Sequence, residues 1–498
     1  MKILLVNPSV DFDRQFGTLK DFYTPIPSIG LAYIGGVLLR GGFNVVGLDS
    51  FIACHSKEEM LEKIVAHKPD VVAFSLLTPC APLVDPILPD IRARLPGVVI
   101  VLGNIHAAVF ADHYVKMRLA DFVVHHEGEA TMLELMEAMR DGKPVTSIQG
   151  ITYFDPGTQT AVKTPKRGWI NDASLDDMPL PAWELFPVEQ FQPDIRLLGG
   201  HQSNQAAQVQ ALPIVASRGC PFNCSFCSPK NSIGNAYRER SPKNVVDEME
   251  HYYKKWGVDT FYYMDLTFPI SEKKGIEFCD ELIARKLPIK WACETRVSSV
   301  TLPLLKKMKQ SNCIRIDYGI EAGNQKMLDR INKRFTMEHV RKAAKFTRQA
   351  GIESEGLFII GLPGETVQDT WDTINFSLSL DLDHVKLNIF VPYPGCDLWE
   401  ELLAKKQIRH MNFSEYTSYP SYTRGRAPFV PEGRTEEEII DLQKRGMRMA
   451  FFRSRVILRE LKHFKFDKFG QYFTAVKSLL FPPETMAKDT THDRLAAR

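Results

Sequence analysis

Short apolar runs rich in β-branched residues alternate with helical stretches through the first 140 residues. Strands are predicted over residues 2–6, 44–48, 71–75, 98–103 and 122–125, and helices near residues 30–39, 57–66, 84–93 and 130–140. Alternation of this kind is typical of a doubly wound parallel sheet. Such sheets bind ligands at the carboxyl ends of their strands, here the loops that start at Asn7, Asp49, Leu76 and Gly103. The pattern leaves open whether these loops bind a ligand or only connect strands, because Gly and Asn also suit turns.

The alternation stops between residues 141 and 212. Asp155-Pro156-Gly157 predicts the turn of a small hairpin, and Pro179, Pro181, Pro187 and Pro193 mark an extended connector. A second alternation follows, with strands predicted over residues 213–217, 260–265, 290–295, 314–321, 355–360 and 384–391. Six strands, each followed by a helical segment, favour an open or partial β/α barrel, with active residues at the carboxyl ends of the strands.

The sequence therefore predicts an α/β fold: an N-terminal Rossmann-like doubly wound parallel sheet, a partial (β/α)6 barrel and a mainly helical C-terminal region. We expect the first domain over residues 1–145, a linker with a hairpin and a proline-rich connector over 146–205, the barrel over 206–400 and a helical cap over 401–480. Residues 481–498 lack an apolar period and are expected to be a disordered tail.

Charge and composition exclude several classes of protein. The chain has 62 basic and 60 acidic side chains in 498 residues, so no field suited to nucleic acid is present. Its longest uncharged stretches are broken by Pro and Gly or are rich in Gln, Asn and Ser, which predicts no transmembrane segment. The N-terminal apolar run is too brief for a signal peptide. These features indicate a cytoplasmic, reducing location, where nine cysteines do not form a disulfide framework.

Three of the nine cysteines lie within eight residues, at Cys220, Cys224 and Cys227, soon after a predicted strand. A structural zinc site would need a fourth Cys or His nearby, and none occurs in the next twenty residues. Three thiolates instead suit a cubane iron–sulfur cluster with one open iron. The alternative is a closed electron-transfer cluster, with a fourth ligand from the set Cys279, Cys293 and Cys313.

The C-x-x-x-C-x-aromatic-C spacing after the first strand of a β/α barrel resembles the radical S-adenosylmethionine (SAM) superfamily. The resemblance implies a [4Fe-4S] cluster bound by Cys220, Cys224 and Cys227, whose fourth iron binds SAM. Motifs at the ends of the later strands agree, among them Glu294-Thr295-Arg296 and Gly361-Leu362-Pro363-Gly364-Glu365. The resemblance implies these SAM contacts: Tyr262, Tyr263 and Asp265 after the second strand, Glu294 and Arg296 after the third, Glu321 after the fourth, Gly361 after the fifth and Pro394 after the sixth. One departure is Cys396, where relatives usually have Thr; it is either a core residue or a reactive thiol.

The N-terminal segment is similar to the cobalamin-binding domain fused to one branch of that superfamily. The resemblance rests on Pro27-Ser28-Ile29-Gly30, on Val101-Leu102-Gly103-Asn104 and on His126-Glu127-Gly128-Glu129. It implies corrin contacts at Ser75, Leu76, Thr78, Gly103, Asn104, Glu127 and Gly128. The Asp-x-His-x-x-Gly motif of many cobalamin domains is absent from the sequence, and His106 is interpreted as a structural histidine. The alternative is a vestigial domain that only shields the barrel.

This family resemblance implies a cobalamin-dependent radical SAM enzyme, in first place a C-methyltransferase. A 5′-deoxyadenosyl radical would abstract hydrogen from an unactivated carbon, which then takes a methyl group from methylcobalamin. The first alternative is oxidative cyclisation or ring rearrangement, as in anaerobic magnesium-protoporphyrin monomethyl ester cyclase, and the second is a non-catalytic cobalamin or redox sensor. The expected partners are a small-molecule substrate, such as an apolar natural product or a tetrapyrrole, and an electron donor such as flavodoxin or ferredoxin.

Overall fold

The computed structural model describes residues 1–22, 26–191, 209–423 and 425–462. The predicted tail, the end of the predicted cap and the part of the proline-rich connector that contains Pro193 lie outside these residues. No described helix is both long enough and apolar enough to cross a membrane.

A seven-stranded sheet forms the N-terminal domain. Its strands are β1 (Lys2–Asn7), β2 (Asn44–Asp49), β3 (Val71–Ser75), β4 (Val99–Gly103), β5 (Phe122–Val124), β6 (Ile151–Asp155) and β7 (Thr160–Lys163). The helices of this part are α1 (Phe12–Phe16), α2 (Ile29–Arg40), α3 (Lys57–His67), α4 (Ala81–Val84), α5 (Leu88–Arg94), α6 (Asn104–Val109), α7 (Ala111–Lys116), α8 (Glu129–Asp141) and α9 (Asp172–Asp176).

The strand order is β2-β1-β3-β4-β5-β6-β7, with β1 to β5 parallel and β6 and β7 antiparallel. Both faces are covered: Ile3 and Leu5 pack in one core, and Leu4 and Val6 pack in the other. A parallel sheet buried on both faces explains the nearly continuous apolar strands of the sequence. The hairpin that the sequence placed in the linker extends this sheet, because β6 pairs with β5.

The second sheet is an open barrel of six parallel strands in the order β15-β14-β13-β12-β11-β8. The strands of this part are β8 (Leu212–Ile214), β9 (Ser217–Arg218), β10 (Arg238–Glu239), β11 (Thr260–Tyr263), β12 (Lys290–Thr295), β13 (Cys313–Glu321), β14 (Glu353–Ile360) and β15 (His384–Ile389). Its helices are α10 (Lys230–Ile233), α11 (Pro242–Trp256), α12 (Glu272–Arg285), α13 (Leu302–Gln310), α14 (Gln325–Arg330), α15 (Met337–Ala350) and α16 (Val367–Ser379). The predicted α/β fold class is confirmed.

The first predicted barrel strand, 213–217, is divided in the structure. Residues 212–214 form β8 in the barrel, whereas Ser217 and Arg218 form β9, which pairs with the antiparallel strand β10 outside it. The chain leaves the barrel here because Asp265 accepts hydrogen bonds from the backbone N–H groups of Ala216 and Ser217. The segment that follows β9 is the cysteine loop.

The C-terminal region contains α17 (Asp397–Ala404), α18 (Glu436–Phe451) and α19 (Ser454–Lys462). Gly446 of α18 lies against Leu387 of β15 and against Ile374 of α16, so α18 closes the last strand of the barrel. Short 3₁₀ helices occur at Gly17–Phe22, Thr78–Cys80, Asp85–Ile87, Val145–Ser147, Trp183–Leu185, Val188–Gln190, Val297–Ser299 and Phe413–Glu415.

Candidate active site

The cysteine loop begins at a glycine that no other residue can replace without a shift of the backbone. Gly219 has φ +82°, and a Cβ atom there would lie 2.1 Å from the Ala236 carbonyl oxygen. The Cys220 N–H donates to the Gly234 carbonyl at 3.1 Å, and the Cys227 N–H donates to the Cys224 carbonyl at 3.2 Å. These bonds fold the loop back on itself, so that the three predicted cluster ligands share one short, closed segment.

The three thiols lie within electrostatic reach of one another. Burial raises the pKa of the Cys220 thiol and raises that of Cys227 to about 11, and the charge of Cys224 raises both further. The cations Arg296 and Lys333 act in the opposite direction on the pKa of Cys220. Iron would supply the positive charge that stabilises all three groups as thiolates.

The donor set fits a cluster better than a single ion. No group of three His, Cys, Asp or Glu side chains in the described ranges is placed to hold one metal ion. A cubane cluster does not require such a group, since each thiolate binds a different iron. Ser225 Oγ and Arg296 Nε are buried and lack hydrogen-bond partners within the described part of the chain. Donors of this kind can bond to cluster sulfides.

Two of the predicted SAM contacts, Arg296 and Glu321, are joined through Lys333 beside the cysteine loop. Arg296 Nη1 lies 3.5 Å from Cys224 Sγ, and its guanidinium carbon lies 3.7 Å from the centroid of the Phe222 ring. Its Nη2 donates to the carbonyl of Lys333, and Lys333 Nζ lies 2.8 Å from Glu321 Oε1. Glu321 has φ +72°, at an irregularity in the pairing of β13 with β14. Strained backbone at a strand end is common where a side chain is aimed at a site.

The next predicted contacts lie on opposite faces of β11, because successive strand residues alternate. Tyr262 faces the inside of the barrel, where its hydroxyl donates to Asp317 Oδ2 at 2.9 Å and lies near Glu294. Tyr263 faces the helices and stacks on Phe268 with 4.5 Å between ring centroids. It is fully buried in that core, so the structure does not bring it to the inner face.

Asp265, Gly361 and Pro394 are buried, whereas Glu294, the other remaining predicted SAM contact, is exposed on the inner face of the barrel. Asp265 is occupied by Ala216 and Ser217 and holds the entrance to the cysteine loop. Gly361 has φ +79° and lies against Ile439 of α18. Pro394 is buried in the turn before α17. Asp265 is thus placed to position the loop, and no contact assigns a role to Gly361 or Pro394.

A cavity of about 500 Å³ separates the N-terminal sheet from the barrel. Its walls include the predicted corrin contacts Ser75, Gly103, Asn104, Glu127 and Gly128 from the first domain. From the barrel side they include Val215, Ser217, Arg218, Asn231, Met264, Leu266 and Cys396. The cavity therefore lies directly beside the entrance to the cysteine loop.

Two predicted corrin contacts are not on the cavity wall. Leu76 is fully buried in the core of the first domain, and the Thr78 hydroxyl bonds to His106 Nδ1 at 3.1 Å. Burial lowers the pKa of His106 to about 3, so His106 is neutral, which agrees with its interpretation as a structural histidine. A 3₁₀ helix over Thr78–Cys80 begins soon after β3, and neither residue lines the cavity.

The floor of the cavity suits a flat group that approaches the backbone closely. A Cβ atom at Gly103 would meet nothing nearer than the Phe74 carbonyl oxygen at 3.8 Å, so the space above this residue is open. Asn104 is exposed and has φ +75°, and its amide donates to Ser75 Oγ at 3.0 Å. An open edge with exposed amide and hydroxyl groups fits a corrin, whose rim carries amides.

Family models match the chain on each side of this cavity. The B12 binding domain matches residues 18–136, and the Radical SAM superfamily matches residues 214–377. The chain is 33% identical over 400 residues to the anaerobic magnesium-protoporphyrin IX monomethyl ester cyclase of Rubrivivax gelatinosus, covering 78% of this chain and 68% of the cyclase. The chain is a member of the cobalamin-binding radical SAM enzymes. Its cofactors are therefore a [4Fe-4S] cluster, SAM and cobalamin, as the sequence predicted.

Two further comparisons cover most of the enzyme. An uncharacterized methyltransferase of Pyrococcus horikoshii is 28% identical to the enzyme over 469 residues, which cover 93% of the enzyme and 95% of the relative. The structure of the radical SAM methyltransferase TsrM from Kitasatospora setae, with cobalamin and a [4Fe-4S] cluster bound, matches with a TM-score of 0.65 at 18% identity. That match covers 82% of the enzyme and 75% of TsrM, and it shows the shared fold.

Cys396 of the enzyme has a structural role. It is the N-cap of α17, and its Sγ accepts a hydrogen bond from the Trp399 N–H at 3.3 Å. Burial raises the pKa of this thiol to about 11, so it is protonated and unreactive near neutral pH. A thiol here does the work that a Thr hydroxyl does at other helix starts.

Two arginines of the enzyme were missed from the sequence. Arg218 and Arg238 pair across β9 and β10, on the two sides of the cysteine loop, and both bind Glu127 of the N-terminal domain. Glu127 was predicted as a corrin contact, but its carboxylate is occupied by these arginines. The position of Arg218 directly before Gly219 and Cys220 was the one available signal.

Proposed function

We propose that the enzyme is a C-methyltransferase that acts on an unactivated carbon of a small molecule. The observation that carries the proposal is the shared cavity, whose walls come from the open edge of the cobalamin domain and from the start of the cysteine loop. A substrate carbon in this cavity would lie between the two cofactor sites. A relative 28% identical over nearly its whole length is described as a methyltransferase, which supports the same reaction class.

The residues around the cavity suggest how the cofactors are held. Cys220, Cys224 and Cys227 bind the cluster, and Arg296 and Glu321 bind SAM beside it. Ser75, Gly103, Asn104 and Gly128 contact the corrin. When bound, the cluster and SAM supply the radical that removes hydrogen, and cobalamin supplies the methyl group. The protein itself excludes water and fixes the substrate, since a primary alkyl radical reacts with almost any neighbour.

The same features indicate the class of substrate, the electron donor and the compartment of the reaction. The cavity wall is largely apolar, with Leu5, Ile34, Val101, Val124 and Met264 among its residues, which suits an apolar natural product or a tetrapyrrole. The cluster needs an external electron donor, for which flavodoxin or ferredoxin is suited. Nine cysteines without a disulfide and an oxygen-sensitive cluster fit a reducing cytoplasm.

Methyl-labelled SAM tests the proposal. The anaerobically reconstituted enzyme is incubated with cobalamin, a reductant, labelled SAM and the small-molecule fraction of a cell extract. Methyl transfer yields a labelled small molecule together with 5′-deoxyadenosine, and both are lost in the Cys220→Ala variant. Formation of deoxyadenosine without any labelled product would refute methyl transfer.

Oxidative cyclisation is the second candidate, because the chain is 33% identical to a protein described as a cyclase. It predicts that the substrate loses hydrogen and gains no carbon. The same incubation separates the two, since a product lighter than its substrate by whole hydrogen atoms, without label, supports cyclisation.

A further inference from the structure

Four buried charged residues join the cobalamin domain to the cysteine loop. Glu129 is the first residue of α8 and Glu127 lies two residues before it, and Arg218 and Arg238 come from β9 and β10. We call these four residues the interdomain clamp. Their side chains are between 5% and 11% exposed, so each charge has left water and depends on its partners.

Glu127 is the centre of the interdomain clamp. Arg238 Nη1 lies 2.8 Å from one of its carboxylate oxygens and 2.9 Å from the other, and Arg218 Nη1 lies 3.4 Å away. The N–H of Ile170 donates to Glu127 Oε2 at 2.9 Å. Donors from three residues occupy the two oxygens, so this carboxylate is committed to the protein.

Both sides of the cysteine loop are held by these contacts. Arg218 stands two residues before Cys220, and its Nη2 lies 2.5 Å from Glu129 Oε1. Arg238 Nη2 donates to the Ile233 carbonyl at 2.6 Å, at the end of α10, which follows Cys227. Next to the clamp, His126 Nδ1 lies 3.1 Å from the Asn231 carbonyl oxygen, again within the loop.

The same short segment also forms part of the corrin cavity. Gly128 lies between the two clamp carboxylates, and residues 126–129 line the cavity. The clamp therefore connects the wall of the corrin site to the backbone that carries the cluster ligands by way of two arginines. Buried ion pairs add little net stability compared with apolar packing, and in some proteins they instead select one arrangement of the chain.

We propose that the interdomain clamp makes Glu127 a positioning residue that fixes the distance between the corrin and the cluster. This rests on the proposed function in one respect, that both cofactors act on one substrate carbon. Loss of the clamp then leaves both cofactors bound, but the distance between the corrin and the cluster changes. Radical formation continues, and transfer of the methyl group fails.

The Glu127→Gln variant removes the negative charge at the centre of the interdomain clamp. The Glu248→Gln variant is the matched control. Glu248 is also a buried carboxylate at the domain interface, where it lies 2.7 Å from Arg240 Nη1 and accepts from the Tyr33 hydroxyl at 3.4 Å. It contacts no residue of the cysteine loop among the described residues. Glu127→Gln therefore weakens contacts to two arginines and Glu248→Gln weakens a contact to one, and only the first variant touches the loop.

The spin–spin interaction between the reduced cluster and cob(II)alamin depends on the distance between these two cofactors. It can be measured in the enzyme without substrate. We expect the EPR splitting to be changed or broadened in Glu127→Gln and to be as in the wild type in Glu248→Gln, at equal iron and cobalamin content. An EPR splitting in Glu127→Gln that equals that of the wild type would overturn the proposal that Glu127 fixes the distance between the corrin and the cluster. If Glu127→Gln does not fold, Arg238→Lys, which keeps the charge but loses the second donor group, takes its place in the same measurement.

Turnover gives a second, separate readout. We expect the ratio of methylated product to 5′-deoxyadenosine to fall at least tenfold in Glu127→Gln and less than twofold in Glu248→Gln. An equal fall in both variants would overturn the positioning role. If the wild type itself methylates nothing, the proposed function fails. The EPR comparison still tests whether Glu127 fixes the distance between the two cofactors.

Discussion

Glu294 is a carboxyl group on the inner face of the barrel without a hydrogen bond from any described residue. Part of its side chain is exposed, although protein atoms lie around the carboxyl group. The charges that act on this group include those of Asp317 and Lys386. Burial, followed by the charge of Asp317, raises its pKa from 4.5 to about 7, against the opposing effect of Lys386. Glu294→Gln keeps the shape of the side chain and removes the titration.

The magnitude follows from the pKa values in the folded and unfolded chain. A rise from 4.5 to about 7 corresponds to about 3 kcal/mol, at about 1.4 kcal/mol per unit. Since more than a third of the side chain is exposed, screening by solvent reduces this to about 1–2 kcal/mol. The folded state holds the proton more tightly than the unfolded state. The wild type therefore loses this stability as the pH rises from about 4.5 through 7.

Thermal unfolding between pH 5 and pH 8 tests this reasoning. We expect Glu294→Gln to unfold at nearly the wild-type temperature at pH 5, and roughly 1–2 °C above it at pH 8. The control is Glu432→Gln, which makes the same substitution in an exposed turn. A Glu294→Gln protein that is less stable than the wild type at pH 8 would show that the carboxylate has a stabilising partner, and would refute the argument.

Three further predictions concern the cofactor sites. Cys224→Ala should lose the iron–sulfur absorbance and bound iron, whereas Cys313→Ala, in the core of β13, should keep both; retention of iron by the first variant would argue against the cluster assignment. Cys396→Thr should keep the unfolding temperature and cluster content, because a hydroxyl caps α17 equally well, and loss of activity alone would instead indicate a reactive thiol. Asn104→Gly should weaken cobalamin binding roughly tenfold, measured by equilibrium titration, with little change in the unfolding temperature, since the side chain is exposed on the cavity edge and glycine adopts φ +75° without strain; unchanged affinity would place the corrin elsewhere.

The fold could be predicted from sequence because its information is local. Apolar runs and helix starts such as Ser28, which caps α2, repeat along the chain at a spacing that only alternating strands and helices satisfy. The division of the first barrel strand could not be predicted in this way. It depends on Asp265, nearly fifty residues later, which binds the backbone at Ala216 and Ser217.

The candidate site was predicted unevenly for the same reason. The spacing of Cys220, Cys224 and Cys227 is visible in the sequence and indicates a cluster. The direction in which neighbouring side chains point is not visible there. Tyr262 and Tyr263 look equivalent in the sequence, but strand alternation sends one to the inner face and the other to the helices. Glu127 lies in a motif that suggests a ligand, and its partners Arg218 and Arg238 become visible only when β9 and β10 are paired.

Gly219 and Gly103 stand at the edges of the two cofactor sites, and the structure gives them different tolerances to change. At Gly219 a methyl group would overlap the Ala236 carbonyl, so every substitution distorts the loop before any cofactor arrives. At Gly103 the backbone has φ −136°, which any residue adopts, and the nearest atom to a new methyl group is 3.8 Å away. Gly103→Ala should therefore leave the fold of the N-terminal domain intact, whereas any substitution at Gly219 should disturb the cysteine loop even without a cofactor. A substitution at Gly103 thus reports on the corrin site alone, whereas one at Gly219 reports on the backbone that carries the cluster ligands.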